Sequence, residues 1–350
     1  MAKKSLKDVK LNNVAQVMGC VMDWEPVSRI EISERSGLAP STVSQAISLL
    51  MKKGVVEETK EGESTGGRKP ILLRIKPDYG CVVTLAVKRD GVIASVYDLC
   101  GQLLQTKELA SKMLAGNRLL DVLCRYVKSI QKGEEGIPAR ITGVGLLCQD
   151  DIPEYDLMTE FTTSLSSDVL RMETALAASC DVRVKKELLN RYSLDYYLRT
   201  VDAEYKNYAY INLGERITAS FVLNKTLVKS ADDTVFDISS AVLTGNYAGA
   251  ESGASRSIML AQELALKKLS PEILSEKLSQ VIKSALLFFP VRDVFIGGQA
   301  EHLDKIVEMV AQKFPLNPVI RKLGAERKDI GGVFAHQIWM ENYKYLVETF

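Results

Sequence analysis

Residues 36–58, "SGLAPSTVSQAISLLMKKGVVEE", carry the most informative chemistry in the chain. Val43, Ile47 and Leu50 recur at helical spacing, and between them stand Ser41, Thr42, Ser44, Gln45 and Ser48. That face is polar yet uncharged, where a solvated helix ordinarily shows Glu and Lys. Small hydroxyls donate to phosphate oxygens, and a glutamine amide pairs bidentately with adenine in the major groove. A carboxylate there would repel a nucleic-acid backbone. Arg68 and Lys69 follow a Gly66-Gly67 hinge, which suits contacts to phosphates or to the adjacent minor groove. Pro40 heads the same helix, and Ser28 and Arg29 head the one before it. Together these are the candidate DNA-binding residues, and their partner is double-stranded DNA.

The elements that must position them lie on either side. Val14, Val17, Met18 and Val21 mark one face of a first helix. Ser28-x-x-Glu31 is a capping-box pattern that starts a second helix ending at Gly37, with Ile30 and Ile32 as its apolar contacts. Pro40 suits the first position of a third helix, where its missing N–H is no loss, and Gly54 suits the position just past the end. Strands follow over 55–59 and 71–75, joined by the loop that ends in Arg68, Lys69 and Pro70. Three helices and a two-stranded wing predict a winged helix-turn-helix over residues 1–78, with the third helix reading DNA. The alternative for such a module is protein contact alone.

A chain of 350 residues is too long for one core and predicts two or three domains. Apolar residues make up 46% and charged residues 25%, the balance of an ordinary globular protein. Net charge is +1, so no global field favours nucleic acid or membrane. The first 80 residues hold 13 Lys and Arg against 10 Asp and Glu, a mild basic excess that permits a DNA-binding front end. No apolar run reaches the roughly 18 residues of a membrane span, and none follows the basic start as in a signal peptide. The expected location is the cytoplasm, with no membrane partner. The six cysteines are scattered without a CxxC pair and read as reduced thiols.

The segment "VSRIEISERSGLAPSTVSQAISLLMKKGVVEE…STGGRKPILLRI" resembles the transcriptional regulators of the ROK family (repressor, open reading frame, kinase). Their pattern runs SRaeLa…tGLS.sTVS…L…GlV.E…s.GGRrP.lL.l. Ala39 departs from the serine that the family often places there as a helix cap, a loss of about 1 kcal/mol. The resemblance continues more weakly through "CVVTLAVKRDGVIASVYDLCGQLLQTKEL", "RITGVGLLCQ", "NYAYINLGERITASFVLNKTLV" and "VRDVFIGGQAEHLDKIVEMVAQKF". It implies an α/β chain: an N-terminal winged helix-turn-helix followed by a two-lobed actin/hexokinase-type (ROK-like) fold. The first lobe would cover 79–200, the second 201–329, and a C-terminal helix over 330–350 would return to the first.

The resemblance also implies a sugar-kinase site, and the residues depart from it at every motif. Where the family's first phosphate turn reads D-x-G-G-T, this chain has Lys88-Arg89-Asp90-Gly91. Where the second reads G-T-G-I-G, it has Gly214-Glu215-Arg216-Ile217-Thr218. Only glycine lets backbone N–H groups approach phosphates closely, and Glu215 adds a charge that opposes a polyanion. The sugar segment E-N-D-A-N becomes Lys185-Lys186-Glu187-Leu188-Leu189. Glu187 falls where the general base would stand and reads either as a base or as an ion-paired surface residue. Glu187 and Asn190 are the candidate effector contacts. The family's zinc ligands, one His and three Cys, have no counterpart in residues 230–260, and His302 and His336 lie far along the chain in predicted helices. Gly297-Gly298 survives, as a nucleotide turn or simply as a sharp strand-to-helix turn.

These departures favour a DNA-binding regulator, most simply a repressor. Its rear lobes would be a catalytically inactive kinase fold serving dimerisation on an inverted-repeat operator and sensing of a carbohydrate-type effector in the interlobe cleft. No catalytic residue, metal or cofactor is assigned. The alternatives are a bifunctional regulator that still phosphorylates a sugar and a module that binds only protein.

Overall fold

A computed structural model of the chain describes residues 6–61, 70–150, 152, 157, 171–200, 205–228, 236–244, 268–323 and 330–350. At the front, helix α1 (Leu6–Trp24) packs on α2 (Arg29–Ser36) and α3 (Pro40–Lys52). Val14, Val17, Met18 and Val21 of α1 are buried, as their spacing predicts. The capping box of α2 is complete: Ser28 N–H donates to Glu31 Oε2 at 2.8 Å, and Glu31 N–H donates to Ser28 Oγ at 3.3 Å. Gly37 ends α2 at φ 69°, in the left-handed region that glycine tolerates best. Ile32 is fully buried, but Ile30 is 68% exposed. Residues two apart on a helix point to opposed sides, so the two isoleucines cannot share one core. Strands β1 (Val27–Ser28), β2 (Val56–Glu61) and β3 (Ile71–Ile75) complete the wing sheet, in the order β1-β3-β2.

Two compact units emerge from the contacts, one of 1–147, 158–186 and 329–350, the other of 148–157 and 187–328. The winged head therefore groups with the first lobe. The helix Leu189–Thr200 groups with the second unit, burying Leu194 and Leu198 among Tyr208, Tyr210 and Phe295.

In the first unit, β4 (Cys81–Lys88), β5 (Gly91–Asp98) and β6 (Leu103–Ala110) form an antiparallel meander. With β7 (Ile141–Cys148) and β8 (Val184–Leu188) they make a sheet ordered β6-β5-β4-β7-β8. The terminal helix Ile330–Glu348 lies against β4 and β5, burying Phe334, Ile338 and Trp339. The second unit holds the antiparallel hairpin β9 (Tyr208–Leu213) and β10 (Ile217–Leu223), followed by β11 (Thr226–Leu227) and β12 (Phe236–Asp237). Strands β13 (Asp293–Gly298) and β14 (Val319–Lys322) pair in parallel, with β13 running parallel to β9. Helices Pro271–Ala285 and Leu303–Gln312 close its core around Leu278, Ile282, Ile306 and Val310.

Glu25 joins head to lobe. Its Oε2 accepts the N–H of Ile75 at 2.6 Å, and its Oε1 accepts from Cys100 Sγ at 3.7 Å, in the turn between β5 and β6. Burial pushes the Glu25 carboxyl above the usual carboxylate range, only partly offset by the Ile75 and Cys100 hydrogen bonds and by the charges of Arg74 and His336. Burial, with Glu25 and Asp98 beside it, pushes the Cys100 thiol up to about 12, which disfavours the thiolate at neutral pH. Because the folded state holds the Glu25 proton more tightly than the unfolded chain, its contribution falls as pH rises between the two pKa values. Glu25→Gln keeps an oxygen for Ile75 N–H and removes the half-buried charge. Thermal unfolding of the variant should match the parent at about pH 4 and lie above it at about pH 8. Equal melting at both pH values would refute this account.

Candidate nucleic-acid interface

Helix α3 separates its two faces cleanly. Val43, Ala46, Ile47 and Leu50 are buried, while Ser41, Ser44, Gln45 and Ser48 are exposed and Thr42 is half-buried. Pro40 occupies the first turn, and Ala39 before it makes no side-chain cap, so packing of the inner face must hold this end. Gln45 makes no side-chain hydrogen bond among the described residues, which leaves its amide available to an outside partner. Ser48 differs: its hydroxyl donates to Ser44 O at 2.8 Å, leaving only acceptor capacity.

The two candidates at the head of α2 are placed otherwise than expected. Ser28 is buried and its hydroxyl accepts the Glu31 N–H of the capping box, so its place is explained by the start of the helix. Arg29 Nη2 is paired with Glu58 Oε1 on β2 at 3.2 Å and lies 3.9 Å from Met51 Sδ. Its Nε is buried with no hydrogen-bond partner among the described residues. A phosphate contact by Arg29 must compete with that ion pair. Arg68 and Lys69 lie outside the described residues. Lys52 and Lys53, exposed at the last turn of α3, add positive charge absent from the sequence candidates. The signal was the contiguous "MKKG" that closes the helix.

Two hairpin turns stand where the resemblance places the phosphate loops. In the first hairpin Lys88 pairs with Gly91, leaving Arg89 and Asp90 as a two-residue turn. In the second, Gly214 N–H donates to Arg216 O at 3.1 Å. Arg216, not Glu215, is the buried side chain, with Nη1 3.7 Å from Asp237 Oδ2. Gly298 has φ 117°, and a Cβ there would stand 2.5–2.7 Å from the backbone O, N and C of Leu213. Packing of β13 on β9 is sufficient reason for this glycine.

Glu187 and Asn190 flank the start of the helix Leu189–Thr200. Glu187 Oε2 accepts from Arg191 Nη2 at 2.8 Å; the neighbouring Lys185 pairs instead with Glu341. The buried Asp150 carboxylate accepts the N–H groups of Asn190 at 2.6 Å and Arg191 at 3.1 Å, a favourable place for negative charge at a helix N-terminus. Asn190 Nδ2 donates to Asn212 Oδ1 at 3.0 Å, which also accepts from Tyr210 OH at 3.2 Å. Asp150, Asn212 and Tyr210 were not among the sequence candidates. His302 and His336 are both exposed, and no group of three potential metal ligands occurs among the described residues. Nor is any described helix long and apolar enough to cross a membrane.

Residues 25–57 match the family model described as winged helix-turn-helix DNA-binding. The xylose repressor of Bacillus subtilis is 25% identical over 228 residues, 63% of this chain and 58% of its own length. The chain thus spans less than two thirds of that relative. The DNA-binding transcriptional dual regulator NagC of Escherichia coli is 26% identical over 128 residues, 35% of this chain and 32% of that one. Among solved structures, a ROK family transcriptional regulator, a homologue of the E. coli MLC protein, superposes with a TM-score of 0.56 at 13% identity, covering 97% of this chain and 98% of its own. That likeness shows the fold: a winged head followed by a two-lobed α/β body.

Proposed function

We propose that this chain, a member of the ROK family with a winged helix-turn-helix at its front, is a DNA-binding transcriptional repressor. The observation that carries the reading is the outer face of α3, uncharged hydroxyls and one free amide over a fully buried apolar face. In this reading the head, residues 1–78, enters the major groove with Ser41, Thr42, Ser44 and Gln45. Arg68 and Lys69 reach phosphates or the minor groove. The chain acts in the cytoplasm as a homodimer, each head taking one half-site of an inverted repeat. The two lobes assemble the dimer and do not phosphorylate sugars. In their place, the polar group around Asn190 and Glu187 takes a carbohydrate-type effector.

Gel shifts of the full chain against genomic fragments test the first claim. Affinity should fall by about 10³-fold or more between low and physiological salt if six or more phosphates are contacted, since each contact releases counterions. Absence of binding even at low salt sinks the repressor reading. Calorimetry with ATP and coupled turnover assays on a hexose panel should stay at background, because phosphoryl transfer depends on a backbone cradle for the phosphates. Turnover abolished by Glu187→Gln would restore the bifunctional reading. A thermal-shift screen of sugars and amino-sugars identifies the effector; its hits should vanish in Asn190→Ala.

A further inference from the structure

The winged head is held on the first lobe by a helix that comes from the opposite end of the chain. Gly19, inside α1, leaves room for Tyr343 of the terminal helix. A Cβ at position 19 would stand 3.0 Å from the Tyr343 hydroxyl oxygen and 3.6 Å from its Cζ. Cys20 and Asp23 lie close enough to influence that hydroxyl. The neighbouring residue, Asn342, keys the same turn into the sheet: its Nδ2 donates to Thr142 O of β7 at 3.1 Å. Glycines on β7 make that approach possible. A Cβ at Gly145 would lie 2.6 Å from Phe334 Cε1 and 2.7 Å from Ile338 Cδ1. At Gly143 it would lie 2.5 Å from Asn342 Nδ2. Glycine thus stands on both α1 and β7 where side chains of one helix enter. Glu25, bridging Ile75 N–H and Cys100, forms a second tie between the same two bodies. A head swinging on a loose linker would need neither.

We infer that Tyr343 is a positioning residue, which, seated against Gly19, fixes the orientation of the winged head on the first lobe and so the half-site spacing at which paired heads read DNA. The spacing part rests on the reading of the chain as a dimeric DNA binder; the docking part does not.

Two measurements on the full chain separate these parts. In hydrogen exchange, Tyr343→Ala should make the amides of α1 and of the last turns of the terminal helix exchange roughly tenfold faster, with the β4–β5 amides unchanged. Gly19→Leu, which displaces the ring from the other side, should do the same, and Tyr343→Phe should behave as the parent. In selection from a random duplex library, the parent should recover one half-site sequence at one spacing. Tyr343→Ala and Gly19→Leu should recover the same half-site over a broadened range of spacings. A purely structural lesion would weaken binding without changing the distribution of spacings. Parent-like exchange in both variants, or parent-like spacing in both, overturns the inference. If the parent selects no inverted repeat, the dimeric-repressor reading fails, the spacing part of the inference falls with it, and the exchange result alone decides whether Tyr343 docks the head.

Discussion

Gly298→Ala should destabilise the second unit by about 3 kcal/mol or more. Two effects act at one atom. The residue holds φ 117°, where any Cβ is strained, and the new methyl would lie within 2.7 Å of three backbone atoms of Leu213. Leu213 is locked by the β9–β10 and β9–β13 pairings, so the clash cannot be relieved by a rotamer change. Denaturant unfolding followed by circular dichroism measures the loss. The result also discriminates between two origins for the glycine pair. If Gly298 persists to admit a nucleotide phosphate, alanine leaves stability unchanged and only ligand binding suffers. If it persists to let β13 lie beside β9, stability collapses in the absence of any ligand. The geometry predicts the second outcome.

Gln45→Ala should lower discrimination at one base position per half-site by about 1–3 kcal/mol, roughly 5- to 150-fold. The side chain is exposed on α3 with its amide uncommitted, so the change leaves the head folded and removes one donor–acceptor pair from the reading face. Arg68→Ala should instead weaken all sites together, or A·T-rich flanks preferentially if the side chain enters the minor groove. Library selection with both variants distinguishes them. Equal, sequence-independent losses from the two would show that α3 does not read bases.

What could be read in the sequence is what is local. The helix boundaries at Ser28, Gly37, Pro40 and Gly54 follow from caps and φ preferences within a few residues. The uncharged face of α3 is visible because its buried partners recur at one helical period. The failures have an equally physical origin. Ser28 reads both as a cap and as a DNA contact, and the structure shows the cap, with the residue buried. Ile30 looked like core because it is apolar, although Ile32 already occupied that side. The ion pair of Arg29 with Glu58, from helix α2 to strand β2, has no local signature. Arg216, the Asp150 cap and the Gly19–Tyr343 contact join residues separated by tens to hundreds of positions, and no local pattern announces them. The departures from the kinase motifs are legible residue by residue; the pairing of Arg216 with Asp237 is not.

The terminal helix has one more consequence, for the order in which the molecule is built. The head's own core, from Val14 through Ile75, is complete once the first quarter of the chain has been made, and such domains fold as units from the N-terminus during synthesis. Its dock is not complete then. Tyr343 and the side chains that cover β4 and β7 come far later in the chain. Until the helix Ile330–Glu348 has been added, the head is folded but lacks the element that seats it on the first lobe.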